Sequence, residues 1–259
     1  MVVTRVAPSP SGYLHAGNAV NFLLTRWVAE ASPDSRVHLR IDDIALPNPP
    51  VQYLDDIFWA VDWLGIPVTD GPADVADFRA NFSQVDRLDR YREGRDRLLA
   101  HPATFVCRCS RRMVARRTAD EPDPCRDLAL PLQTGRTSLR FPSRSDDGMG
   151  DFVVWRRDGL PAYQLVSVVM DQSTGVDTVV RGADLAASTR AQLTVAEVIG
   201  ATGVVAANYL HHPLVTDRLG SKLSKRDDAE ALRAIRDTAG GKARLERLAR
   251  AVGAAAGLL

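Results

Sequence analysis

The start of the chain constrains its fold most. Val2 to Val6 is short and apolar and reads as a buried first strand. It runs directly into Ala7-Pro8-Ser9-Pro10-Ser11-Gly12-Tyr13-Leu14-His15-Ala16-Gly17-Asn18, a turn rich in Pro, Ser and Gly. Beyond the turn, Val20, Leu23, Leu24, Trp27 and Val28 recur at helical spacing across Asn18 to Ala31. Asn18 stands where a helix N-cap is useful. A strand, a tight turn and a helix in this order open an α/β domain.

The rest of the chain extends that pattern. Val37 to Ile41 reads as a second buried strand, and it ends in Arg40-Ile41-Asp42-Asp43. Gln52 to Leu64 and Asp86 to Leu99 read as amphipathic helices, with Gly65-Ile66-Pro67 stopping the first. Residues 101–150 differ: they hold all three cysteines, many arginines, several prolines and little periodicity. They read as an insertion between residues 1–100 and 151–228, the two halves of an α/β core. Apolar runs at Asp151 to Trp155, Tyr163 to Met170 and Asp177 to Val180 belong to the second half, as do a helix over Leu193 to Ile199 and a strand or turn at Tyr209 to Val215. Residues 229–259 are rich in Ala, Leu and Arg and read as a helical tail.

Composition sets the outer limits. The chain has 259 residues, 45% of them hydrophobic and 25% charged, which is ordinary for a globular protein. The formal net charge is only +1, so any nucleic-acid contact must come from local patches. No run of 18 apolar residues predicts a membrane span, and no basic-then-apolar leader stands at the start. Three cysteines do not make a disulfide framework, and the expected compartment is the cytoplasm.

Three segments carry chemistry. In His15-Ala16-Gly17-Asn18, Gly17 lets the backbone approach a nucleotide closely. The following helix would present a positive dipole end and unpaired N–H groups to phosphates, and His15 can donate a hydrogen bond to an α-phosphate. Alone, the tetrad also fits a tight turn with an exposed histidine. Lys222-Leu223-Ser224-Lys225-Arg226 puts two lysines three apart, enough to neutralise a leaving pyrophosphate, though such a run can equally be a solvated loop. Cys107, Cys109 and Cys125 fall within 19 residues and suit a tetrahedral zinc ion. Glu121 is the leading fourth ligand, with Asp123 and His101 as alternatives. Arg108, Arg111, Arg112, Arg116 and Arg117 make this stretch locally basic, fit for RNA phosphates or for a solvated face.

Together, the histidine turn and the lysine loop resemble the paired signatures of class I aminoacyl-tRNA synthetases. The resemblance narrows to the glutamyl-tRNA synthetase catalytic domain at Arg5-Val6-Ala7-Pro8-Ser9-Pro10-Ser11-Gly12, Arg40-Ile41-Asp42-Asp43, Asp158-Gly159-Leu160-Pro161-Ala162-Tyr163-Gln164-Leu165 and Val180-Arg181-Gly182-Ala183-Asp184-Leu185. It implies a Rossmann-like parallel-sheet catalytic domain carrying the insertion. It also implies that Arg5, Val6, Ala7, Pro8, Ser9, Asp42, Tyr163 and Arg181 hold glutamate. His15, Gly17, Asn18, Lys222, Ser224 and Lys225 would bind ATP with Mg²⁺, and His15, Gly17, Lys222 and Lys225 would act in catalysis. Arginine forks match the carboxylates of a dicarboxylic amino acid, and an acid at position 42 matches its ammonium. Asp42 departs from the family's glutamate there and is one methylene shorter.

The cysteine segment and the short stretch after the lysine loop resemble the glutamyl-queuosine tRNA(Asp) synthetases. Those enzymes carry a tyrosine where this chain has Glu121. The resemblance implies activation of L-glutamate with ATP and transfer to queuosine in the anticodon stem-loop of tRNA(Asp), by a monomer with no anticodon domain. Two other readings stay open. One is a repurposed paralogue delivering an activated amino acid to a small molecule or carrier protein. The other is a non-catalytic tRNA- or protein-binding module.

Overall fold

The computed structural model describes residues 1–114, 116, 123–142, 150–215 and 232–258. Its strands are β1 (Val3–Val6), β2 (Arg36–Leu39), β3 (Phe105–Cys107), β4 (Ser138–Phe141), β5 (Phe152–Trp155), β6 (Thr178–Gly182) and β7 (Asn208–His212). Its helices are α1 (Ala16–Glu30), α2 (Val51–Leu64), α3 (Val75–Asp77), α4 (Leu88–Ala100), α5 (Arg111–Val114), α6 (Tyr163–Thr174), α7 (Ala186–Ile199), α8 (Thr202–Ala206), α9 (Leu232–Arg236) and α10 (Gly241–Ala255). The chain divides into two compact units.

The first unit comprises Met1–Gln84, Thr174–Ala186 and Ala206–Leu259. Here β1 pairs in parallel with β2, and β6 pairs in parallel with β7. Thr69 and Asp70 add a further rung at the outer edge of β2, where Asp70 O accepts the Leu39 amide at 2.8 Å. The two pairs meet at their start, where Asp177 N–H donates to Val3 O at 2.9 Å. Beyond that link no ladder joins β1 to β6 among the described residues. Asn21 of α1 takes one of the carbonyls so exposed, donating from Nδ2 to Val180 O at 3.2 Å. The spatial order is therefore the Asp70 rung, β2, β1, β6, β7, a doubly wound arrangement whose switch point lies between β1 and β6.

Helical spacing explains the core. Leu23 and Leu24 of α1, Leu54, Ile57 and Leu64 of α2, Leu232 of α9 and Leu245 and Ala249 of α10 join one buried cluster with Val6, Val37 and Leu39. Each fully buried leucine contributes about 1.5–3 kcal/mol. Arginines fasten the tail over tryptophans: Arg233 and Arg236 lie 5.1 and 5.3 Å from the Trp59 ring, and Arg250 lies 4.8 Å from Trp27. Gly65 caps α2 in the left-handed conformation, as the sequence predicts.

The second unit comprises Val85–Ser173 and Ala187–Val205. Its sheet is antiparallel, in the order β3-β4-β5. Two of these strands lie in the 101–150 stretch, where the sequence shows little periodicity. Three or four residues are too few to display a period. β5, read from the sequence with the second half of the core, pairs instead with β4. Helices α4, α6 and α7 pack closely where Gly94 faces Leu165, Val169 and Ile199. No helix among the described residues is long and apolar enough to cross a membrane.

Gly71 limits the outer edge of the parallel sheet. Its φ is +125°, and a Cβ there would lie 2.4 Å from Leu39 O, a backbone atom that cannot move aside cheaply. Gly71→Ala is expected to destabilise the protein by more than about 2 kcal/mol, read as a fall in the denaturant midpoint at unchanged m-value.

Candidate active site and metal centre

Parallel strands place their C-terminal ends on one edge, and ligands of doubly wound sheets bind there at the switch point. In this chain that edge carries the segments after β1, β2 and β6. Arg5 is buried on β1 and Arg181 is buried on β6, where its guanidinium lies 5.4 Å from the Tyr209 ring. Val6 and Pro8 are buried, whereas Ala7 and Ser9 are half-buried. Asp42 follows β2 and is tied to the β1 turn by its amide, which donates to Pro8 O at 2.9 Å.

The Asp42 carboxylate already has partners. Arg40 Nε donates to its Oδ1 at 2.8 Å and Arg40 Nη2 donates to its Oδ2 at 3.2 Å. Gln84 Nε2 donates to the same Oδ1 at 2.7 Å. Neighbouring Asp43 is fully buried, accepting from Ser83 Oγ at 2.6 Å and the Gln84 amide at 2.9 Å. Burial pushes its carboxyl above the usual range, while those two donors oppose the shift. The sequence did not mark Gln84. The only trace of Arg40's role is its offset of two from Asp42, which puts both on one face of extended chain.

His15 turns out to be the N-cap of α1, the place the sequence assigns to Asn18. His15 Nδ1 accepts the Gly17 amide at 3.1 Å, and Asn18 Oδ1 accepts the His15 amide at 3.1 Å. This is a reciprocal capping box with a histidine in place of the usual hydroxyl. Two consequences follow. The amides of residues 15 and 17 are satisfied internally, so α1 offers its dipole to an anion more than open N–H groups. With Nδ1 an acceptor, the neutral imidazole carries its proton on Nε2. Gly17 suits this fit, because a Cβ there would lie 3.0 Å from His15 Cε1 and the ring would have to give by a few tenths of an ångström. No acidic residue stands in the first turn of α1.

Tyr163 begins α6 in the second unit and is partly exposed. Lys222, Ser224 and Lys225 lie outside the described residues, as does Glu121.

The cysteines form a cluster with Asp123. One ligand atom from each of Cys107, Cys109, Asp123 and Cys125 lies within 4.8 Å of the others. Cys109 Sγ and Cys125 Sγ are 3.6 Å apart, near the ~3.8 Å between sulfurs bound tetrahedrally at 2.3 Å from zinc. The Cys109 amide donates to Cys107 Sγ at 3.3 Å, and the Cys125 amide donates to Asp123 Oδ1 at 2.9 Å. Arg140 Nη1 lies 3.4 Å from Asp123 Oδ2 and 3.9 Å from Cys107 Sγ. Three thiolates and a carboxylate around a divalent ion leave surplus negative charge, which this buried guanidinium offsets. With no metal bound, burial pushes the Cys107 thiol up to about 12. Among the described residues, Asp123 is thus the acid found with the cysteines. His101 stacks on Phe141 at 5.6 Å and is not part of the cluster.

The sequence matches the family described as tRNA synthetases class I (E and Q), catalytic domain, over residues 1–127 and 139–245. It is 34% identical to the glutamyl-Q tRNA(Asp) synthetase of Nitratidesulfovibrio vulgaris, spanning 92% of this chain and 82% of that one. The chain belongs to the glutamyl-Q tRNA(Asp) synthetase branch of the class I synthetases. Another member, from Geobacter sulfurreducens, is 35% identical across 91% of this chain and 79% of its own. In fold, this synthetase resembles the glutamate-tRNA synthetase of Elizabethkingia anophelis, with a TM-score of 0.66 and 21% identity. That match covers 87% of this chain but only 53% of the solved structure, so the synthetase spans about half its length.

The metal centre yields a direct test. Cobalt(II) added to metal-free synthetase should give the strong visible bands of a tetrahedral thiolate site. Arg140→Met should weaken metal binding about 10- to 100-fold, and Asp123→Asn should weaken it further, both read by competition with a chromogenic chelator.

Proposed function

We propose that this chain activates L-glutamate with ATP and transfers the glutamyl group to queuosine in the anticodon of tRNA(Asp), in the cytoplasm. The observation that carries the reading is the His15 cap. It fixes a ring whose Nε2 proton is the donor, at the start of a helix without acidic residues in its first turn. Buried Arg5 and Arg181, on the strands flanking the switch point, supply the cations that a dicarboxylic amino acid requires. Relatives at 33–36% identity carry the name glutamyl-Q tRNA(Asp) synthetase.

In this mechanism the α-carboxylate of glutamate attacks the α-phosphorus of ATP. A new P–O bond forms, the bond to the β-phosphate oxygen breaks, and pyrophosphate leaves. His15 Nε2 and the α1 dipole stabilise charge on the α-phosphate, while Lys222 and Lys225 neutralise the departing pyrophosphate. Catalysis is by positioning and charge, with no side-chain nucleophile. Asp42 receives the ammonium of glutamate, its short side chain braced by Arg40 and Gln84. In the second half-reaction, queuosine attacks the glutamyl carbonyl and AMP leaves. Mg²⁺ accompanies the ATP. Zinc at Cys107, Cys109, Asp123 and Cys125 would cross-link β3 to the segment after residue 122 and act structurally. Neighbouring basic residues, among them Arg108, Arg112 and Arg116, meet RNA phosphates.

Amino-acid-dependent ATP–pyrophosphate exchange tests the reading. Glutamate alone should support exchange without tRNA. Exchange with a different amino acid would point to a repurposed paralogue, and exchange with none would point to a binding module. Asparagine and alanine variants at position 15 separate cap from catalysis, because asparagine is a good N-cap with no ring nitrogen to offer. His15→Asn should keep the thermal midpoint and lose about 10²- to 10³-fold in kcat. His15→Ala should lose the same rate and about 1 kcal/mol of stability as well.

A further inference from the structure

The residue before His15 is held on both sides of its backbone. The Leu14 amide donates to Asp56 Oδ2 at 2.8 Å, and Leu14 O accepts the Leu232 amide at 2.8 Å. Asp56 lies on α2 among Leu54, Ile57, Ala60 and Leu64, and its side chain is only 1% exposed. Its second oxygen, Oδ1, accepts Arg233 Nε at 2.7 Å. Arg233 is in the first turn of α9 and covers the Trp59 ring of α2. Leu14, Asp56 and Arg233 are 42 and 177 residues apart, yet they form one closed network.

Chain order gives this network its meaning. Leu232 and Arg233 are where the described structure resumes after residues 216–231, which include Lys222 and Lys225. The same carboxylate therefore binds the turn that presents His15 and the segment that follows the lysines. A carboxylate on the apolar face of a helix is tolerated only while its oxygens are paired. Losing the Arg233 guanidinium takes this donor from Asp56 Oδ1 and frees the start of α9 to shift against Leu14.

We infer that Asp56 and Arg233 form a latch that sets the position of the His15 turn for ATP, so that both are positioning residues. The inference rests on the nucleotide reading of that turn. The rival is a purely structural pair, since Leu232 is fully buried and could anchor α9 alone.

The test is binding of a non-hydrolysable ATP analogue, measured by calorimetry alongside the thermal midpoint. Arg233→Met keeps the cover over Trp59 but removes the charge. It should weaken analogue binding about 10-fold, leave the KM for glutamate within about 2-fold, and Arg233→Lys should recover at least half of the loss. Should Arg233→Met fail to fold, Arg233→Gln, which also removes the charge, takes its place with the same expected loss. Wild-type analogue affinity in a folded, uncharged Arg233 variant, whatever its thermal midpoint, overturns the latch. If the wild-type protein itself does not bind the analogue, the nucleotide reading fails and the latch falls with it. If it binds the analogue but shows no glutamate exchange, only the amino-acid reading fails, and the variant affinities still decide the latch.

Discussion

The parting of β1 from β6 governs the first unit. In a doubly wound sheet the ligand crevice lies outside the C-terminal ends of the strands at the switch point, which here falls between β1 and β6. Here the two pairs join at their base, where Val3 and Asp177 are hydrogen-bonded, and no ladder joins β1 to β6 among the described residues. The Asn21 side chain, reaching in from α1, satisfies the Val180 carbonyl and also meets His212 Nε2 at 3.2 Å. One asparagine thus lowers the cost of an unfinished ladder. Arg5 and Arg181 are both buried, on the two strands that flank this parting.

Buried acids hold the loops around that crevice. Asp42, Asp43 and Asp56 are all nearly or fully buried, and each binds backbone or side-chain donors from distant segments. Asp43 joins the β2 exit to Ser83 and Gln84, and Asp56 joins the histidine turn to α9. Buried carboxylates add little net stability compared with apolar packing. They do fix geometry, because each satisfied lone pair permits only one arrangement of the surrounding backbone. This uses interactions of modest worth where position matters more than strength.

The legible parts of the sequence were those in which one short window carried the signal. The helical repeat Val20, Leu23, Leu24, Trp27 lies within two turns, and α1 forms there. Val37 and Leu39 are apolar and bounded by polar residues, and β2 forms there. What stayed hidden depended on partners far along the chain or on geometry that composition does not encode. Histidine is an uncommon N-cap, so Asn18 drew the assignment that His15 holds. Spacing brought Cys107, Cys109 and Cys125 together and put Glu121 first among the acids; Asp123 is the acid that the described residues place with them, and Glu121 lies outside those residues. Arg140 comes from a strand the sequence did not reveal, and nothing local ties it to Cys107. Asp56 left a faint trace, a carboxylate inside an apolar helical stripe, whose meaning needed Leu14 and Arg233 in view.

The tail's guanidinium contacts have a spectroscopic consequence. Of the four tryptophans in the chain, Trp27 and Trp59 lie under arginines of α9 and α10, and the Trp63 ring stacks on Trp59 at 5.2 Å. The fourth, Trp155, belongs to the second unit and lies 5.0 Å from Arg95. Indole emission responds to a nearby cation and to solvent. The molecule therefore carries its own optical labels: Trp27 and Trp59 report on how the C-terminal helices sit against α1 and α2, and Trp155 reports independently on the other unit.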